Sequence, residues 1–432
     1  MSSNTAPATT GFAAFWAAVR GHPIKTFLIC VSGLMLSAMD QALYSYAMPG
    51  ITREFNVSLD FVGAILSASF LAASVAVIVA GTLTDYIGRR RMFITLTALS
   101  ALCVGLHSLA TSIGWLAVFR ILGFALAAGA FPITATIIVE VAPARYRGIL
   151  SGWLQMSYPL GFALAAVVAS QALADYSWRV SFYPAFAVIP IIIWLGSKLQ
   201  ETDRFKAAST GQGGPLAQMA GSRSLKQHFG ELASPRYRGR ALTSFLGTFT
   251  ANLAIGGASF FLPTFLAQAR GMSESAAAGL LAYSWLIAAA GYLASSYIGE
   301  FVTTRRNTVI GVQWLGALCL AATVWLAYSP TALLIGFGIS TMFFFSSECV
   351  RMPLTSEIFP TRFRTTASAV TGSAAVTLAT FIAPLAIPAL VPVVGWTWTF
   401  TIMGVAPLAA AGCIFLTLEN FKSGVEVEQL SA

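Results

Sequence analysis

Four ionisable side chains lie inside long apolar runs of this sequence: Asp40, Arg120, Glu348 and Arg351. An ionised group in a lipid interior costs a few kcal/mol or more, so such residues mark proton relays, ion pathways or ligand sites. Asp40 sits in Ser37-Ala-Met-Asp40-Gln41-Ala-Leu-Tyr44, where residues 37, 40, 41 and 44 share one helical face. A polar stripe of this kind in an apolar helix must meet protein or water. Glu348 and Arg351 are three residues apart and pair on one face if their span is a helix. Paired in every state, they are structural. With Glu348 neutralised or turned away, Arg351 is a fork-shaped carboxylate binder.

Other polar groups accompany these: Gln155 and Tyr158, Asn252 with Thr248, Tyr283, and Ser373 with Thr377, each in a different apolar run. Singly, each reads as a helix-packing amide or hydroxyl. Together with Gln41 and Tyr44, the amides and phenols Gln155, Tyr158, Asn252 and Tyr283 are the candidates for orienting a small polar ligand.

The elements that must hold these residues are membrane spans. Hydrophobic residues make up 57% of the 432 and charged residues 9%, against about 25% charged in soluble domains. Apolar runs place spans at 26–50, 60–84, 92–112, 114–140, 149–173 and 179–198. Six more follow at 239–268, 274–300, 307–328, 331–357, 366–390 and 395–418. The expected organisation is a tail (1–25), a six-helix bundle (26–198), a polar Gly/Ser/Gln-rich linker (199–238), a second bundle (239–418) and a tail (419–432). Residues 11–20, with Phe15 and Trp16, either lie along the membrane interface or belong to the tail.

All five cysteines fall inside apolar runs and read as small buried hydrophobes. His22, His107 and His228 are isolated, and neither a phosphate-binding G-x-x-x-x-G-K-[ST] loop nor an H-E-x-x-H pair occurs. Nucleotide-driven action and membrane-enzyme chemistry are therefore disfavoured, and no cofactor or metal is expected. The net charge of +9 belongs to short basic loops rather than to nucleic-acid binding. If the N-terminus is cytoplasmic, only Arg53, Arg179 and Arg270 fall outside and only Arg120 and Arg351 within spans; the other Lys and Arg of the 25 lie inside. Both termini are thus expected in the cytoplasm.

Glu140-Val-Ala-Pro143-Ala-Arg145-Tyr-Arg147-Gly148 recurs 217 residues later as Glu357-Ile-Phe-Pro360-Thr-Arg362-Phe-Arg364-Thr365. A connector repeated half a chain apart, between apolar spans, is the organisation of a two-bundle secondary transporter. Gly81-Thr-Leu-Thr-Asp85-Tyr-Ile-Gly88-Arg89-Arg90-Arg91 joins spans two and three, and here the chain resembles the major facilitator superfamily, whose signature loop this matches. The resemblance implies an all-α membrane protein of twelve transmembrane helices in two pseudo-symmetric six-helix bundles. It also implies a gate of Gly81, Asp85, Gly88, Arg89 and Arg90 with the connector residues Glu140, Arg147, Glu357 and Arg364. Gly299-Glu300-Phe-Val-Thr-Thr-Arg305-Arg306 is the degraded counterpart, without the Asp.

Arg120 resembles the superfamily's span-four arginine, which in several proton-coupled members lies near a span-one acid. The resemblance thereby pairs Asp40, as proton-binding carboxylate, with Arg120 as its switchable partner; the alternative is a permanent buried pair. The Glu357 connector and the span-one acid are similar to those of metabolite and aromatic-acid proton symporters, although Ser37-Ala-Met-Asp40 keeps only the last acid of that branch's Asp-Gly-Phe-Asp pattern. The expected function is proton-coupled import of a small organic anion by alternating access. The expected setting is a bacterial inner membrane, and the expected working unit a monomer meeting substrate, protons and lipid. Sugar or polyol symport is the alternative; drug export is disfavoured because Tyr158-Pro159 lacks the preceding Gly of the exporter signature.

Overall fold

Hydrocarbon offers no partner to a backbone N–H or C=O, so each apolar run closes its own hydrogen bonds as a helix. The computed structural model describes residues 12–143, 146–201, 230–360 and 364–420. Residues 1–11, most of the expected linker, Arg145, Arg362 and the tail from 421 lie outside the described residues. The helices are α1 (His22–Phe55), α2 (Leu59–Ile87), α3 (Arg89–Gly105, then a 3-10 turn Leu106–Leu109) and α4 (Ile113–Val141). Next come α5 (Arg147–Leu154 and Ser157–Asp175) and α6 (Pro184–Lys198, led in by the turn Trp178–Phe182). The second half has α7 (Arg238–Arg270), α8 (Glu274–Tyr297, continued as a π-helix Ile298–Val302), α9 (Arg305–Leu326) and α10 (Pro330–Glu357).

Among the described residues eleven helical runs are, by length and composition, apolar enough to cross a membrane, and the last, Thr366–Leu416, holds 51 residues. Gly395 breaks it at φ 76° and ψ 168°, a conformation open to glycine at little steric cost, giving α11 (366–394) and α12 (396–416). Trp398 meets Trp325 edge to face at 4.9 Å, while Arg306 donates to the carbonyls of Phe415 and Leu416. Helix α12 therefore runs antiparallel to α9, and the described residues hold twelve helices of membrane-spanning character.

The two halves repeat their punctuation. Helix α1 ends on Asn56 (φ 49°) and α7 on Gly271 (φ 66°), both left-handed caps. Two residues later Ser58 and Ser273 cap α2 and α8, accepting from the N–H of Phe61 and Ala276. Ser112 and Ser329 do the same for α4 and α10.

The ends of α6 and α7 that flank residues 202–229 define a linker face. Three polar contacts between halves lie toward the opposite face: Arg53 with Glu274 at 2.7 Å, Ser275 Oγ donating to the Ser170 carbonyl at 2.7 Å, and Trp285 Nε1 donating to the Tyr46 hydroxyl at 3.0 Å. There α2 meets α11 so closely that a Cβ on Gly63 would stand 2.3 Å from the Pro384 carbonyl oxygen. On the linker face a short helix, Phe12–Val19, precedes α1. Phe15 is buried edge-on against Tyr146 and Trp153, with centroids 5.2 and 5.3 Å away, while Trp16 is exposed.

Candidate functional site

The first-half cluster is built on α1 and α4. Helical spacing turns Ser37, Asp40, Gln41 and Tyr44 toward α4, and all four are buried. Arg120 enters from α4 about two turns from the opposite face and is 1% exposed. Its Nη1 donates to the Gln41 carbonyl at 3.1 Å, and the guanidinium carbon lies 4.5 Å from the Tyr44 ring centre and 4.7 Å from that of Phe124. Cation–π contact of this kind gains strength where water is excluded. Tyr44 is held by its hydroxyl's bond to the Val62 carbonyl. No ion pair joins Asp40 to Arg120 among the described residues. Both Asp40 carboxyl oxygens and Arg120 Nε and Nη2 are buried without a hydrogen-bond partner.

The second-half cluster is built on α7 and α10, nearer the linker face. Arg351, 3% exposed, pairs with Glu348 one turn back, and its Nη1 donates to Thr248 Oγ1 at 2.8 Å. Glu348 Oε1 also accepts from Asn252 Nδ2 at 3.2 Å, and that same amide donates to the Thr248 carbonyl at 3.0 Å. Arg351 Nε is buried without a partner, while 20% of the Glu348 side chain stays accessible.

The expected ligand residues divide. Gln155, in the break of α5, donates to Met352 Sδ at 3.7 Å and so crosses between halves. Tyr158, one turn on, lies with its ring 6.0 Å from Phe131. Tyr283 does not join the site: it is 64% exposed, on a stripe of α8 shared with Leu286, Leu293 and Tyr297. The buried side of α8 presents Tyr292 instead, whose carbonyl accepts from the Sγ of Cys349, the residue after Glu348, at 3.6 Å. Trp285, from the same side, packs edge-on against Phe162 and Phe345, each 5.1 Å away. A shallow cleft of about 20 Å³ opens on the linker side between the halves, lined by Gly148 and Ile149 of the first and Ser296, Glu300, Arg305 and Cys349 of the second. Among the described residues no three His, Cys, Asp or Glu gather as a metal site.

The expected gate residues lie on the linker face. Gly88 takes φ 105° between α2 and α3. The Glu201 carboxylate accepts from the N–H of Arg89 at 2.9 Å and of Arg90 at 3.2 Å, an anion on a helix N-terminus. Arg89 lies 3.5 Å from Glu140, and Arg90 Nε donates to the Gly196 carbonyl. These four contacts stay within the first half. Gly81 has open space where a Cβ would stand. In the second half Arg305 pairs with Glu300 at 2.8 Å. The side chains of Asp85, Arg147, Glu357 and Arg364 lie outside what is described.

A family model described as Major Facilitator Superfamily matches residues 30–377. A probable 4-methylmuconolactone transporter of Cupriavidus pinatubonensis is 27% identical, over 79% of this chain and 78% of that protein. A gallate transporter of Pseudomonas putida is 24% identical, over 78% of this chain and 79% of its own. The crystal structure of a D-xylose-proton symporter superposes with a TM-score of 0.72 at 18% identity, covering 94% of this chain and all of that one.

Proposed function

Because the chain belongs to the major facilitator superfamily, we propose that it imports a small organic anion, such as an aromatic carboxylate, together with protons. It is a transporter and not an enzyme. The observation that carries the anion reading is Arg351, a buried guanidinium beside the joint of the two halves, with Nε unpartnered and one carboxylate oxygen of Glu348 as its anchor. A substrate carboxylate competes for that fork with two charge-assisted bonds. The relative named for gallate supports a carboxylate as cargo.

Proton coupling rests on Asp40. A buried carboxyl with neither oxygen partnered is costly when ionised and far less so when it holds a proton. Arg120, bound to the Gln41 carbonyl, stands ready to take the carboxylate once the proton leaves. Access alternates as 26–198 and 239–418 rock about the site, the contacts of Arg53, Ser170 and Tyr46 opening as the linker face closes. Both termini are cytoplasmic, the membrane is a bacterial inner membrane, and one chain supplies the whole site.

Uptake of a carboxylate and sugar panel into proteoliposomes, with and without an inward proton gradient, tests this reading. Gradient-stimulated carboxylate uptake is expected; uptake confined to sugars rejects it.

A further inference from the structure

His107 is a buried titratable group that the coupling scheme leaves unused. It sits in the turn that ends α3, 1% exposed, its ring stacked on Phe182 with centroids 5.0 Å apart and planes 17° apart. Nδ1 lies 2.9 Å from the carbonyl oxygens of both Cys103 and Val104. A carbonyl only accepts, so Nδ1 carries the hydrogen and Nε2 of the neutral ring is an acceptor. That Nε2 is buried with no hydrogen-bond partner.

Helix α4 packs beside α3, with Ser100 Oγ donating to the Gly123 carbonyl at 2.9 Å. One turn from Gly123, Arg120 carries two N–H sites without partners, Nε and Nη2. Trp115 Nε1, at the start of α4, donates to the Leu106 carbonyl at 3.3 Å, so the turn that carries His107 lies beside the α4 segment from which Arg120 projects toward Tyr44 of α1. The remaining charges of this corner are engaged with each other: Arg179, from the turn before α6, pairs with Glu54 at 2.5 Å and donates to the Ser108 carbonyl.

The geometry points to His107 Nε2 as a second docking acceptor for Arg120. When Asp40 takes up a proton and no longer holds a guanidinium, Nε2 accepts an Arg120 N–H; when Asp40 releases the proton, Arg120 returns to the carboxylate. This rests on the proton-coupled reading of Asp40. His107 is a positioning residue whose ring stays neutral, one hydrogen bond being exchanged for another. By giving Arg120 a place to go, it sets the external pH at which transport loads its proton.

His107→Asn keeps an amide nitrogen near the position of Nδ1, and so the bond to the carbonyls, but deletes Nε2. His107→Gln restores a side-chain amide, with its acceptor oxygen, near the position of Nε2. Uptake of an aromatic carboxylate into proteoliposomes is recorded against external pH, beside gradient-free exchange. The pH of half-maximal uptake is expected to fall by about one unit in His107→Asn, the effect of one hydrogen bond, with exchange kept and His107→Gln close to wild type. A His107→Asn profile superimposed on a pH-responsive wild type overturns the role of His107 alone. Loss of exchange in both variants overturns it too, marking a structural cap. A wild type that ignores pH overturns the coupled reading and this inference together.

Discussion

The buried cluster of the first half is left incomplete, whereas that of the second is closed on itself. Asp40 has no hydrogen-bond partner and Arg120 one hydrogen bond, to a backbone carbonyl. Glu348, Arg351, Asn252 and Thr248 bond one another, and of their fully buried side-chain polar atoms Arg351 Nε alone lacks a partner. The difference matches two kinds of work. A group that loads and unloads a proton needs two states of similar energy, which a saturated network would abolish. A group that orients an anion needs donors held in place before the anion arrives.

If that division is right, substitutions in the two clusters fail differently. Asp40→Asn should abolish gradient-driven accumulation while gradient-free exchange continues; unaltered uptake would erase the distinction. Arg351→Lys loses the planar fork, so KM for a carboxylate should rise about 10- to 100-fold, as expected for one or two charge-assisted bonds. Its pH profile should hold, and a shifted profile would mean that the second cluster also couples protons. Asn252→Ala removes one bond to Glu348 and should raise KM about fivefold. Trp285→Phe deletes the bond to Tyr46 across the halves, and cysteine labelling from the linker face should report a several-fold change in accessibility. Arg53→Gln breaks a pair whose arginine is 72% exposed, and thermal stability should not move measurably.

The residues of this contrast were more legible in the sequence than their surroundings. An ionisable group in an apolar run announces itself, and so Asp40, Arg120, Glu348 and Arg351 stood out. Span positions followed from the same contrast between apolar runs and basic joints. The phase of each helix did not, because lipid is as apolar as the protein interior, and hydropathy cannot say which face of α8 is buried. Tyr283 and Tyr292 are equally plausible on paper, yet the structure exposes one and buries the other. Glu201 lies at the edge of a polar stretch without helical period, so its reach back to the N-terminus of α3 had no local signal. The lone histidine at 107 reads as isolated because the groups around it, Phe182 and the start of α4, come from other elements of the fold. The turn at Gly395 was visible only as a short gap between two apolar runs.

Proton movement itself separates the two clusters. An aromatic carboxylate is added outside proteoliposomes at equal pH on both sides, and a trapped pH dye follows the lumen. Wild type and Arg351→Lys at saturating substrate should both acidify the lumen, whereas Asp40→Asn should exchange substrate without acidification. Acidification by Asp40→Asn equal to wild type would contradict the assignment of proton coupling to the first half.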